Sequence, residues 1–208
     1  MAKQNKLESL RDPDMITSSG KSVYFDKPEE TEIVLEDFEL PLKNICRYNG
    51  HAKWSLLQHL ALCVCLVPVW YPEAKKESLA AVAFHDLHEV IVGDVVSGLK
   101  KFIPKFYKLE EKWAKHIAKK LGLLKIFQSA EQKEIVKFID YRALQLEMYW
   151  LEHKGFSYVI GDSPTPNDLE IKILQHISVA DSKLLWQIVS NALKLKPIIE
   201  EEVSLDEN

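Results

Sequence analysis

Residues 79–94 set the tightest limits on how this chain can fold. Leu79-Ala80-Ala81-Val82-Ala83-Phe84 is apolar on nearly every side, so a helix there has no face to offer to water and belongs at the centre of the molecule. The same run then delivers His85, Asp86, His88, Glu89 and, past Gly93, Asp94. Burying imidazoles and carboxylates is unfavourable unless hydrogen bonds, opposite charges or a metal ion compensate them. A dense ionisable cluster in an apolar helical run therefore predicts metal coordination, catalysis or both.

The flanking pattern is helical throughout. A helix is predicted from Trp54 or Ser55 to about Val67, ended by Pro68 and Pro72, and a second from Pro72 to Val92 with Gly93 as its stop. Lys105 to Leu121 has amphipathic spacing before Gly122, Glu131 to His153 runs up to Gly155, and Leu169 to Leu195 forms a last long helix. The turn-rich Gly161 to Pro166 precedes that helix, with Asn167 or Asp168 as its cap. The exception lies near the N-terminus, where Met15 to Phe25 reads as two short strands around Ser18-Ser19-Gly20. Glu32 to Leu42 fits a strand followed by a short helix. The expectation is an all-α bundle with a small N-terminal β-hairpin: one domain over 15–197, a flexible segment 1–14 and an acidic tail 198–208, with no internal repeats.

Charge narrows the partners. A formal charge of -4 and a pI near 6.0 leave no basic surface of the kind that holds nucleic acid by its phosphates. Lys100, Lys101, Lys105 and Lys108 cluster locally, as a solvated helix face or as a phosphate-attracting rim. Cys46, Cys63 and Cys65 have no framework spacing and read as core thiols of a reducing compartment. Met1 to Asp14 lacks an apolar signal segment, which predicts a cytoplasmic protein. The most apolar run, Leu56 to Trp70, carries Gln58, His59 and Pro68, so a buried helix is expected and no membrane span.

The chemistry of the cluster follows from spacing. His85 and Asp86 diverge by about 100° on a helix, yet both can reach an ion placed between them if other elements supply the remaining ligands. Glu89 falls one turn after His85, suited to moving protons or orienting water, and Asp94 could point back to the same place. His59 in the preceding helix is the natural further nitrogen donor. A fourth ligand has two candidates, Asp140 and Asp181, each an aspartate in an apolar frame. Ahead of His59, Arg47, Tyr48 and His51 lie on a loop broken by Asn49-Gly50, a common place for ligand contacts. Tyr48 and Trp54 could stack on a base or simply pack; Lys53, Lys100 and Lys101 could neutralise phosphate or simply solvate helix ends. Trp113, Trp150 and Trp186 fall at core spacing.

A separated His, an adjacent His-Asp pair and a distant Asp on a helical chain of this size resemble the HD-domain phosphohydrolases. His85-Asp86-Leu87-His88-Glu89-Val90 followed by Gly93-Asp94 is similar to the bacterial 5'-deoxynucleotidase branch. Cys46 to His51 ahead of Gln58-His59 is similar to small phage-borne members, some of them deoxynucleoside triphosphate hydrolases. The resemblance covers about residues 15 to 152 and implies an HD-domain helical bundle. It implies His59, His85, Asp86 and Asp140 as ligands of one divalent transition metal (Co, Mn, Zn, Ni or Fe), with Asp140 preferred to Asp181. It further implies Glu89 and Asp94 as the groups handling the attacking water and the leaving oxygen. Arg47 would grip phosphate, with Tyr48, His51, Lys53 and Lys100 around the substrate. The substrate would be a small nucleotide, a dNMP or a dNTP, and the protein a homo-oligomer. Departures from the family pattern are Val95-Val96-Ser97-Gly98 in place of a Pro-rich segment, His88 where small residues are usual, and Leu60 after the first ligand histidine. Two other readings share the residues: a phosphodiesterase or alarmone hydrolase, and a non-catalytic binding module with a structural metal.

Overall fold

The computed structural model describes residues 12–154 and 165–194. They form, in chain order, β1 (Met15–Ile16), β2 (Ser22–Val23), α1 (Glu36–Asn44), α2 (Leu56–Trp70), α3 (Lys76–Phe84), α4 (Glu89–Val92), α5 (Ser97–Lys100), α6 (Pro104–Lys120), α7 (Leu124–Gln128), α8 (Ala130–Glu152), α9 (Asp168–Val179) and α10 (Ser182–Lys194). This is an all-α fold with a small antiparallel hairpin, as the patterning predicts.

The hairpin pairs Met15 with Val23 and Ile16 with Ser22, and its turn closes on Gly20 at φ +84°, a conformation that glycine adopts without strain. Asp37, in the first turn of α1, fastens that turn to the helices. Its carboxylate accepts hydrogen bonds from Ser18 Oγ at 2.8 Å and from Ser19 N and Oγ, both at 2.7 Å. The strand expected ahead of α1 is absent: residues 32–35 are irregular, although Ile33 and Leu35 pack on the core. Alternating apolar residues make no strand without a partner to pair with.

α2 is the axis of the bundle. A reciprocal capping box starts it, Ser55 Oγ accepting from Gln58 N at 3.2 Å and Gln58 Oε1 from Ser55 N at 2.9 Å. Leu56, Leu57, Leu60, Leu62 and Leu66 are wholly buried, each contributing about 1.5–3 kcal/mol. α1, α3, α8, α9 and α10 pack around it, while α6 leans on α4, α5 and α7 at the other side of the molecule. Trp113 is buried in this core, with Trp150 and Trp186 half-buried against it.

The structure departs from the sequence reading at several places. Pro68 does not end α2, because it sits exposed in the last turn, where a missing N–H forfeits little. The helix expected from Pro72 to Val92 starts only at Lys76 and breaks after Phe84. Residues 85–88 tighten into turns closed by Leu87 N to Phe84 O and Glu89 N to Asp86 O, both 3.0 Å. The last long helix is two, divided where Ala180 turns extended and Asp181 caps α10 through a 2.9 Å bond from Leu184 N. α5 and α7 are short helices that no periodicity announced. Of the expected core thiols only Cys63 is buried; Cys65 is half-buried and Cys46 is exposed. Asn167 is the cap of α9. Among the described residues no helix is long and apolar enough to cross a membrane. The predicted flexible segment up to residue 11, the Gly155 stop, most of the 161–166 turn, the end of the last expected helix at Leu195 and the acidic tail lie outside the described residues.

Candidate metal centre

Three parts of the chain bring four side chains to one point. His59, wholly buried on α2, donates Nδ1–H to Glu147 Oε1 at 2.6 Å. His85, just past the end of α3, donates Nδ1–H to the Val82 carbonyl at 2.7 Å. With both Nδ1 atoms used as donors, each neutral ring turns an Nε2 lone pair inward, and the two Nε2 atoms lie 3.2 Å apart. Asp86 Oδ2 stands 3.2 Å from His85 Nε2 and 3.6 Å from His59 Nε2. Asp140 Oδ1, from α8, completes the set at 3.3 Å from His59 Nε2 and 3.8 Å from His85 Nε2. Donors about 2.1 Å from a shared ion lie about 3.0 Å apart at right angles and about 3.4 Å apart at tetrahedral angles. These four residues can therefore hold one metal ion.

The break at 85–88 makes this possible, because it lets neighbouring side chains close on one point rather than diverge around a continuous helix. Electrostatics ask for the same occupant. Burial opposes charge on His85, but Asp86 and Asp140 outweigh it and hold the imidazole well above its ordinary range. Burial and then Arg47 oppose charge on His59, outweighed by Cys63, Glu147 and Asp140. When both rings are protonated at Nε2 as well, Asp86 and Asp140 are in turn held below the usual carboxylate range, against burial: Asp86 chiefly by the charge of His85, Asp140 by hydrogen bonds from His59 and His85. Two lone pairs and two carboxylates in a half-closed site need positive charge, which protons or a metal ion supply. Cys63 Sγ, one turn along α2 and 3.6 Å from His59 Nε2, forms the floor of this cluster.

Glu147 was not anticipated. It is wholly buried on α8, two turns after Asp140 and on the same stripe, and besides His59 it takes Arg47 Nε at 3.1 Å and the Tyr48 hydroxyl. Burial pushes its carboxyl up, but Arg47 and His59 prevail and keep it ionised. The available signal was a lone glutamate in Leu146-Glu147-Met148, spaced seven residues from Asp140. The loop that delivers Arg47 is pinned by backbone bonds from Arg47 N to Trp54 O and from Leu56 N to Ile45 O, both 2.9 Å. Within it Tyr48 and Asn49 have φ of 58° and 52°, a conformation that costs non-glycine residues energy and that clusters at functional sites. Arg47 is thus largely committed to Glu147, with Nη1 3.9 Å from Asp86. His51 and Lys53 lie exposed on the same loop, outside the buried network, and Trp54 is buried as packing.

On the other side of Asp86, Glu89 is buried, its Oε2 without a hydrogen-bond partner among the described residues. Burial first, then the charges of Asp86 and Asp94, push Glu89 up to about 9, against Lys100 and Arg47. Asp94, half-buried nearby, is also raised, first by burial and against the pull of Arg47. Lys100 is not a solvated lysine: its Nζ lies 2.6 Å from Glu110 Oε1 and 3.8 Å from Glu89 Oε1. Nor is His88 exposed, since it turns inward with Nε2 3.6 Å from Glu110. His88, Glu89 and Glu110 also have metal-ligand spacing, but the Lys100 ammonium already places a cation among them. Asp181 is at the cap of α10, away from the cluster.

No family model matches the chain. It is similar to the uncharacterized protein YfdR of Escherichia coli (strain K12), with 34% identity over 133 residues that cover 63% of this chain and 68% of that protein. At that identity and coverage, the chain belongs to the same family as YfdR.

Proposed function

We propose that the protein is an HD-type, metal-dependent phosphohydrolase that removes phosphate from 5'-phosphorylated deoxynucleotides. The observation that carries this reading is the inward convergence of the His59 and His85 Nε2 atoms, 3.2 Å apart, beside Asp86 and Asp140. An N₂O₂ donor set suits Zn, Co, Mn, Ni or Fe in the divalent state. Such an ion supplies Lewis acidity toward a phosphoryl oxygen and makes a nearby water more acidic.

The chain's own side chains divide the remaining work. Glu89, buried beside Asp86 with an Oε2 that has no hydrogen-bond partner among the described residues, is the group we assign to protonate the leaving 5'-oxygen. Asp94, raised but less buried, is the group we assign to orient the attacking water. Lys100 stabilises Glu89 when it has given up its proton, since its Nζ is 3.8 Å from Oε1. Arg47, locked by Glu147 and Tyr48, adds fixed positive charge beside Asp86 for the charge developing on phosphate.

Between the two substrate classes, the monophosphate fits better. A triphosphate asks for more cations on the Arg47 side of the metal, where Lys100 is spent on Glu110; Lys133 and Lys137 lie on the other side, in the pocket wall beside Asp140. The test is product analysis: metal-loaded protein incubated with each dNMP and dNTP, with the phosphate species identified. Orthophosphate and a deoxynucleoside are the expected products. Triphosphate released from a dNTP would select the triphosphohydrolase instead. Equal turnover by wild type and Glu89→Ala would contradict the acid role, and no turnover by wild type would leave a structural metal.

A further inference from the structure

A pocket of about 350 Å³ opens directly beside the metal centre, with His85 and Asp140 in its wall. It lies at the small end of the roughly 300–1,000 Å³ of small-molecule sites. Two larger clefts, about 460 Å³ beneath the hairpin and about 540 Å³ between α9 and α10, include none of the four convergent residues. The apolar wall of the smaller pocket contains Phe84 and Phe127, packed edge to face at 5.8 Å; Phe84 is nearly buried and the Lys133 ammonium lies 5.7 Å over the Phe127 ring, so a flat ring meets an aromatic edge with a cation beside it.

Apart from His85, its polar lining belongs to α8. Lys133, Lys137 and Asp140 are spaced one turn apart and line the same pocket, so positive charge runs outward from the metal end. Gln132 also lines the pocket and is only 7% exposed; its Oε1 has no hydrogen-bond partner among the described residues and is itself shut off from the pocket, so it meets a ligand once the side chain turns. A buried amide oxygen left unpaired is unfavourable until a donor meets it. Aromatic wall, orphaned acceptor and cationic edge together describe a receptor for a flat, hydrogen-bonding ring joined to an anion.

We infer that this pocket seats the nucleoside part of the substrate, with Gln132 accepting a hydrogen bond from the base and Lys137 countering phosphate at the metal end. The inference rests on the phosphohydrolase reading but names residues on which that reading does not depend. It assigns specificity to α7 and α8, not to the loop carrying His51 and Lys53.

Three variants test it, with metal content measured by elemental analysis in each. Val136→Trp fills the pocket and should raise the dNMP KM about 20-fold or more at unchanged metal content, with kcat falling less than about threefold. Lys137→Glu, at an exposed position that folding tolerates, should raise KM about tenfold. Gln132→Leu should shrink the spread of kcat/KM among bases by about tenfold. Wild-type KM in both Val136→Trp and Lys137→Glu overturns the pocket assignment and leaves the phosphohydrolase reading standing. A wild-type protein that binds metal but neither binds nor hydrolyses any nucleotide overturns both.

Discussion

α8 carries two charged networks, one buried and one half-closed, and they are built on opposite plans. At Arg142 the guanidinium forks onto Glu170, with Nε to Oε1 and Nη2 to Oε2 both 2.7 Å, while Nη1 donates to Gln145 at 3.0 Å. Glu170 also accepts from Trp70 Nε1 and Asn167 N, each at 2.9 Å, so donors face acceptors throughout. At Asp140, one turn away or less, acceptors face acceptors: two imidazole lone pairs and two carboxylates crowd together within 3.2–3.8 Å. The first network is complete as protein and joins α8, α9 and the end of α2. The second is complete only with added positive charge. Burial of charge alone does not mark a functional site; the sign of what meets what does.

That contrast can be broken or sharpened by experiment. The largest expected effect is in the closed network. Arg142→Ala leaves Glu170 buried without its partner and should cost about 3–5 kcal/mol in denaturant unfolding, with no rescue by metal. A cost below about 1 kcal/mol would mean the network is not the closed unit it resembles. In the open network the order reverses. Metal at one hundred times its Kd should stabilise wild type by about 2.7 kcal/mol, and His85→Ala or Asp140→Ala should abolish that gain in thermal melts.

Glu147→Gln keeps the shape but weakens the hold on His59 and Arg47, and metal titrations should show affinity lower by about 10–100-fold. Unchanged affinity would reduce Glu147 to a packing residue. The smallest effect belongs to Asp37, a closed network that shares no residue with the metal cluster. Burial raises its pKa, but hydrogen bonds from Ser19, Thr17 and Ser18 prevail and hold it below the ordinary 3.8. A folded pKa below the unfolded one gives stability that is present above pH 3.8 and lost as pH falls through the lower folded value. Asp37→Asn should flatten that acid limb and cost about 1 kcal/mol at neutral pH, with and without metal alike.

Much of the centre was legible because its residues break a pattern. His59, His85 and Asp86 each interrupt an apolar helical run, and an interruption that burial cannot excuse asks for a ligand; Asp140 shares that frame with Asp181, and only the resemblance separates the two. The helical framework was legible for a related reason, since Lys105 to Leu121 and Glu131 to His153 carry periodicity with clear stops. Glu147 was lost because one glutamate in a long helix reads as a solvated charge; only its partners Arg47 and Tyr48, about a hundred residues away in sequence, reveal it as buried. Lys100 misled in the same manner, its partner Glu110 lying on another helix. The break after Phe84 left no glycine or proline mark, because the need to turn Asp86 inward is tertiary. Pro68 reads as a stop in the sequence, yet a proline facing solvent in a last turn ends nothing.

The central claim is that His59, His85, Asp86 and Asp140 together seat a single divalent ion. Elemental analysis of protein dialysed against Zn, Co or Mn, run beside His59→Ala of unchanged circular dichroism, measures this directly. The account predicts close to one ion per chain in wild type and almost none in the variant. Equal metal in both, or none in either, would contradict it.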